Sequence, residues 1–256
     1  MFDRIKEYLM HKQRSRQLAD SRASVLPELG NKESELISRI RVNKLTYLSE
    51  ERLTSLAKTC KSIEKDNLPG IFIEAGCALG GSAILIASSK NAKRPLFIYD
   101  VFGMIPAPTN DDTDDVHNRY KVIVEGKSHG IGGDKYYGYQ ENLYQVVQSN
   151  LKSFGINCEQ QSVLLIKGLV QDMMDINQPV AFAHIDVDWY EPVMTCLQRV
   201  FPNLVVGGSI ILDDYYDWGG CRKATDEYLQ RVAGQFIVDD SAGSMKITKV
   251  KSEPIL

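Results

Sequence analysis

Short apolar runs without a polar face alternate along this chain with stretches of helical spacing. "IFIEA" (71–75) predicts a strand covered on both sides, and the "GCALGGSAILIASSK" that follows predicts a glycine turn opening into a buried helix. Comparable runs recur at "PLFIYD" (95–100), "SVLLIKG" (162–168), "VAFAHID" (180–186) and "GSIILDD" (208–214), with the helical pattern "EPVMTCLQRVFPNL" between the last two. Strands alternating with helices predict an α/β fold with a doubly wound, mainly parallel sheet. After a further helix at "KATDEYLQRVAG", the segment "QFIVDDSAGSMKITKV" predicts two strands about Ser241-Ala242-Gly243. This C-terminal antiparallel hairpin brings the sheet to seven strands.

Ahead of the first strand, "SEERLTSLAKTCKSIEKD" (49–66) has the spacing of an amphipathic helix opened by Ser49. Residues 1–22 place Phe2, Ile5 and Leu9 at helical intervals before the basic Arg14, Arg16 and Arg22. The chain is therefore read as an N-terminal helical arm or lid (1–48) and a catalytic domain (49–256). Residues from 101 to about 150 form a long polar segment rich in Gly, Asp and Tyr, and such an insertion is expected to act as a lid.

Composition narrows the function classes. At 256 residues and 43% hydrophobic the chain is long enough for one large core. A net charge of −3 gives no electrostatic case for nucleic acid, so the expected partner is a small molecule. Five scattered cysteines, none in a C-x-x-C pair, indicate reduced thiols rather than a disulfide framework or a zinc site. Neither an apolar leader nor an uninterrupted membrane-length run is present, and a cytoplasmic, membrane-independent protein is expected.

Two constellations carry chemistry. In "IEAGCALGGSA", Gly76, Gly80 and Gly81 sit where strand passes to helix, either to let a ligand approach the backbone or only to allow tight helix–sheet packing. Asp100 ends the next strand, where nucleotide-binding α/β folds hold ribose hydroxyls. Glu74, taken to face the same crevice, would accept from an amine and repel a phosphate, which favours S-adenosylmethionine over NAD. The second constellation is acidic. Asp186 closes one buried strand and Asp213 and Asp214 close its expected parallel neighbour, so their carboxylates should converge at one sheet edge. Helix capping explains one or two such acids; acids matched across adjacent strands point to a hard cation, magnesium first, with calcium or manganese as alternatives. His184 is either a second-sphere group or a satisfied core residue. A cation-bound hydroxyl loses its proton more readily, and Asp188, two residues beyond Asp186, is the expected catalytic base.

These residues resemble the macrocin O-methyltransferase (TylF-type) family, from about Tyr47 to Ile247. The resemblance is carried by "LPGIFIEAGCALGGSA", "YDVFGMIP", "HIDVDWYE" and "VGGSIILDDYYDWGGCRKATDEY". It implies a Rossmann-like, class I, magnesium-dependent enzyme that moves the methyl of S-adenosylmethionine to a hydroxyl of a sugar or polyketide-type natural product, as in antibiotic biosynthesis. It further implies Asp186, Asp213 and Asp214 as metal ligands and Asp188 as base. Glu74, Ala75, Gly76, Gly80, Ser82, Asp100, Gly168, Gln171, Asp172 and Asp186 would surround the cofactor. A homodimer is expected. Two departures stand out: Val101 replaces the family's serine after the ribose acid, and the "DDTDD" and "GIGGDKYYGY" stretches differ from the macrolide enzymes. The competing readings are an NAD-linked oxidoreductase, which has no use for the acid cluster, and a non-catalytic module that keeps the fold.

Overall fold

The computed structural model describes residues 28–251, so the helix expected over 1–22 lies outside the described residues. The chain enters through α1 (Asn31–Val42) and α2 (Glu50–Lys65); Ser49 Oγ accepts from Arg52 N at 3.2 Å, the cap its sequence position predicts. β1 (Ile71–Ala75), α3 (Gly81–Ser89) and β2 (Leu96–Asp100) follow, then α4 (Asp114–Val124) and α5 (Leu143–Ser153). Next come β3 (Val163–Lys167), the single turn α6 (Val170–Met173), β4 (Val180–Ile185), α7 (Tyr190–Asn203) and β5 (Leu204–Leu212). The chain closes with α8 (Gly219–Arg231), β6 (Phe236–Asp239) and β7 (Met245–Lys249).

The strands form one seven-stranded sheet in the order β3-β2-β1-β4-β5-β7-β6. Strands β1 to β5 pair in parallel, while β7 inserts between β5 and β6 and runs antiparallel to both. The expected α/β class, seven strands and terminal hairpin are all present. Because β1 is uncharged on both faces except at Glu74, it is wholly buried, and a core packs on each side of it. Ile71, Ile73 and Ala75 join residues of α7 and α8 in one cluster; Phe72 joins residues of α2, α3 and α5 in the other. The order of strands reverses between β1 and β4, and the crevice at such a switch point is where ligands bind in open α/β sheets.

The long segment after β2 differs from its expected form. Leu143, Val147 and Leu151 of α5 are fully buried, so this helix belongs to the β2–β3 crossover and the insertion proper ends near Asn142. The i, i+4, i+8 spacing of these three residues, with polar residues between them, is the pattern of an amphipathic helix packed on the sheet. The insertion itself contains α4, and its acidic run fastens it down: Asp112 accepts from Tyr190 N at 2.7 Å and Asp115 from Gly219 N at 2.9 Å. These are the first turns of α7 and α8, neither of which has a side-chain cap from its own preceding residue.

Candidate active site

The acidic residues lie where parallel pairing takes them. Ile185 of β4 is in register with Leu212 of β5, so Asp186 and the Asp213-Asp214 pair leave the sheet side by side. One oxygen from each of Asp186, Asp213 and Asp214 lies within 4.8 Å of the others. Desolvation raises Asp186 and Asp214 well above the usual carboxylate range, and repulsion from neighbouring acids adds to it: Asp213 acting on Asp186, Asp188 on Asp214. Asp213 Oδ1 is buried with no hydrogen-bond partner among the described residues. An orphaned carboxylate oxygen in an all-oxygen cluster fits a hard divalent cation of the magnesium type.

Two further groups bear on this cluster. Asp188 has φ of 55°, a left-handed conformation uncommon for a residue with a Cβ, and its N–H donates to Asp214 Oδ2 at 3.2 Å. Desolvation, with Asp213 contributing, pushes its carboxyl up to about 7 against the opposing pull of Arg119. Arg52, from the first turn of α2, donates through Nη1 to Asp213 Oδ2 at 3.0 Å and Asp217 Oδ2 at 2.8 Å, and through Nη2 to the Gly243 carbonyl at 2.9 Å. It thereby commits one oxygen of Asp213 and leaves the other toward the cluster.

Two cavities meet here. One, of about 210 Å³, is lined by Gly76, Asp100, Gly168, Gln171, Asp186 and Asp188 among others. The second, of about 290 Å³, holds the acids, Arg52, Arg119 and a set of aromatic walls, and it shares Gly76, Asp100, Asp186 and Asp188 with the first. At Gly76 (φ 80°) an added Cβ would stand 1.8 Å from the Asp186 carbonyl oxygen, so only glycine lets β1 pass the end of β4. Asp100 accepts from the N–H groups of Cys77 at 2.8 Å and Phe102 at 2.6 Å, and burial raises its pKa. Its carboxylate thus braces the glycine turn at the rim of the crevice. Gln171 Oε1 is buried without a hydrogen-bond partner among the described residues, which leaves an acceptor available to a ligand amine.

Several sequence-predicted cofactor residues do not reach either cavity. Glu74 does not face the crevice: it is fully buried, and its Oε1 lies 3.3 Å from Nδ1 of the equally buried His184, its partner in the β1–β4 register. Burial opposes the charged imidazole, but Glu74 and the nearby acids outweigh this and raise His184. Even side-chain positions on β1 share the α2–α3 face, which is why Glu74 points inward with Phe72. Ala75, Gly80 and Ser82 are buried beneath the turn, and Asp172 is exposed on α6; none lines the two cavities. Conversely, Arg52 and Arg119 line the second cavity and Tyr137 lines both, without any local sequence signal, since each is brought there from a distant element.

Comparison with known proteins places the chain in a family. The family model for macrocin-O-methyltransferase (TylF) matches residues 41–238. Demethyldecarbamoylnovobiocin O-methyltransferase of Streptomyces niveus is 25% identical over 214 residues, covering 78% of this chain and 74% of its own. Mycinamicin III 3''-O-methyltransferase of Micromonospora griseorubida is 28% identical over 197 residues, 73% of this chain and 70% of its own. The solved structure of the O-methyltransferase NovP shares the fold, with a TM-score of 0.67 at 21% identity over 81% of this chain and 83% of that one. Among the described residues no helix is long and apolar enough to cross a membrane. The match over most of the chain, on a fold of the same architecture, makes it a member of the macrocin O-methyltransferase (TylF) family and an S-adenosylmethionine-dependent O-methyltransferase.

Proposed function

We propose that the protein methylates a hydroxyl of a sugar or polyketide-type natural product in a magnesium-dependent reaction. The observation that carries this reading is the junction of the two cavities at Asp186 and Asp188, which gives donor and acceptor separate compartments with one shared wall. Gly76, Asp100, Gly168 and Gln171 would hold the methyl donor, with the open acceptor of Gln171 suited to an adenine amine. Asp186, Asp213 and Asp214 would hold the cation. Bound there, magnesium would supply Lewis acidity toward the acceptor hydroxyl. Asp188, on the wall common to both compartments, takes the hydroxyl proton. Trp218, packed edge to face at 5.9 Å against the buried Trp189, lines the acceptor compartment and offers a surface on which a sugar ring can stack.

The reading is tested by calorimetry with S-adenosylhomocysteine and by Mn2+ titration followed by electron paramagnetic resonance. One site for each per chain is expected, and EDTA should abolish labelled methyl transfer to hydroxylated acceptors found by screening. Transfer undiminished in EDTA would remove the metal from the mechanism, and NAD binding in place of S-adenosylhomocysteine would remove the cofactor assignment.

A narrower outcome concerns Arg52. Partners that orient a metal ligand commonly account for about 10- to 100-fold in metal affinity. Arg52→Gln, which frees Asp213 Oδ2, should weaken Mn2+ binding by an amount in that range while S-adenosylhomocysteine affinity holds. An unchanged Mn2+ titration would mean that the Arg52–Asp213 contact only ties α2 to the sheet.

A further inference from the structure

Both arginines that line the acceptor cavity are half-buried, yet they differ in how their charge is used. Arg52 is committed to Asp213 and Asp217. Arg119, on α4 of the insertion, has no carboxylate at ion-pair distance among the described residues. Its Nη2 donates to Oγ of the buried Ser128 at 2.9 Å, and its guanidinium sits 5.8 Å from the centroid of the Tyr136 ring. These contacts hold the side chain in place and leave the rest of its fork of N–H donors unused. Although its charge is felt by Asp188, a fixed guanidinium with spare donors and no contact ion pair in a cavity wall is a ready partner for an oxyanion.

Its surroundings reinforce that polarity. Tyr47 and Tyr136 line the same cavity, and the charge of Arg119 acts on both phenols. Burial holds Tyr136 protonated, pushing it up to about 12, so its hydroxyl remains a donor. Asp186, Asp188, Asp213, Asp214 and Asp217 line the same cavity, and the first, third and fourth of them are the proposed holders of the cation. We infer that Arg119 binds a negatively charged oxygen group, carboxylate or phosphate, on the acceptor, so that the preferred acceptor is an anionic molecule held with its hydroxyl toward Asp188. This rests on the methyltransferase reading above and deepens it by naming the charge class of the acceptor.

The test uses the full-length protein with S-adenosylhomocysteine and Mg2+ present. Calorimetry compares a thymidine diphosphate 6-deoxyhexose, a methyl hexuronide and the neutral methyl glycoside of the same deoxyhexose. At least one anionic probe should bind wild type about tenfold or more tightly than the neutral glycoside, in line with a charge-assisted pair. The two anionic arms separate a phosphate-bearing from a carboxylate-bearing acceptor. Arg119→Gln should erase the preference while changing the neutral glycoside by less than about twofold, and Arg119→Lys should restore part of it. Raising the salt concentration should weaken only the anionic probe, a readout that needs no variant should Arg119→Gln fail to fold. Equal or tighter binding of the neutral glycoside in wild type, or a preference that survives Arg119→Gln, overturns the inference. Intact S-adenosylhomocysteine binding with no such preference refutes this inference alone, whereas loss of S-adenosylhomocysteine binding in wild type refutes the methyltransferase assignment beneath it.

Discussion

Asp188→Asn is expected to lower kcat by about a thousandfold, the middle of the range for loss of a positioned general base. The substitution keeps the shape of the side chain and leaves the backbone N–H that donates to Asp214, so the loop geometry has no reason to change. S-adenosylhomocysteine affinity should stay within about twofold. Charging Asp188 is disfavoured by desolvation and by its acidic neighbours, so the neutral amide should leave the metal-free fold no less stable than wild type. Single-turnover rates with a labelled donor, read beside thermal melts, separate the outcomes. A variant that melts normally, binds S-adenosylhomocysteine and turns over at the wild-type rate would transfer the base role elsewhere.

Gly76→Ala should be the most damaging change outside the acids, costing about 4 kcal/mol or more, a size reserved for a few mechanisms such as backbone collision. Two independent penalties coincide at this position. Its φ of 80° is unfavourable for alanine, and the new methyl would collide with the Asp186 carbonyl oxygen, a backbone atom that cannot turn aside. The main chain would have to shift at the point where the first cavity, the Asp186 loop and β1 meet. A fall in melting temperature on the order of 10 °C and loss of S-adenosylhomocysteine binding are expected together. A melting point within a degree or two of wild type would show that the close approach of β1 and the Asp186 loop relaxes easily.

What could be read from the sequence depended on how locally each feature is encoded. The buried strands carry unbroken apolar runs, and the glycine turn and the matched acids are punctuated by residues with strong positional meaning. Parallel pairing with a single crossover then dictates that Asp186 meets Asp213 and Asp214. Glu74 shows the limit: one residue's difference in side-chain direction separates the crevice from the core, and the apolar run offers no alternation from which to read the facing. α5 is a different case: its core positions Leu143, Val147 and Leu151 recur at amphipathic spacing, so the helix was legible inside the stretch read as a lid. Arg52 and Arg119 were not legible at all, since Arg52 meets Asp213 across 161 positions of chain and a charged residue on an amphipathic helix ordinarily faces water.

The docking of the insertion through Asp112 and Asp115 bears on attempts to re-engineer acceptor range. Because these acids complete the first turns of the two helices that follow the catalytic loops, the roof is not a detachable cassette. A graft from a relative would need a hydrogen-bond acceptor at each of the two positions, or it would leave two helix starts bare at about 1 kcal/mol each and slacken the very loops it was meant to serve. Library designs should therefore hold Asp112 and Asp115 constant and vary the residues between α4 and Gly138.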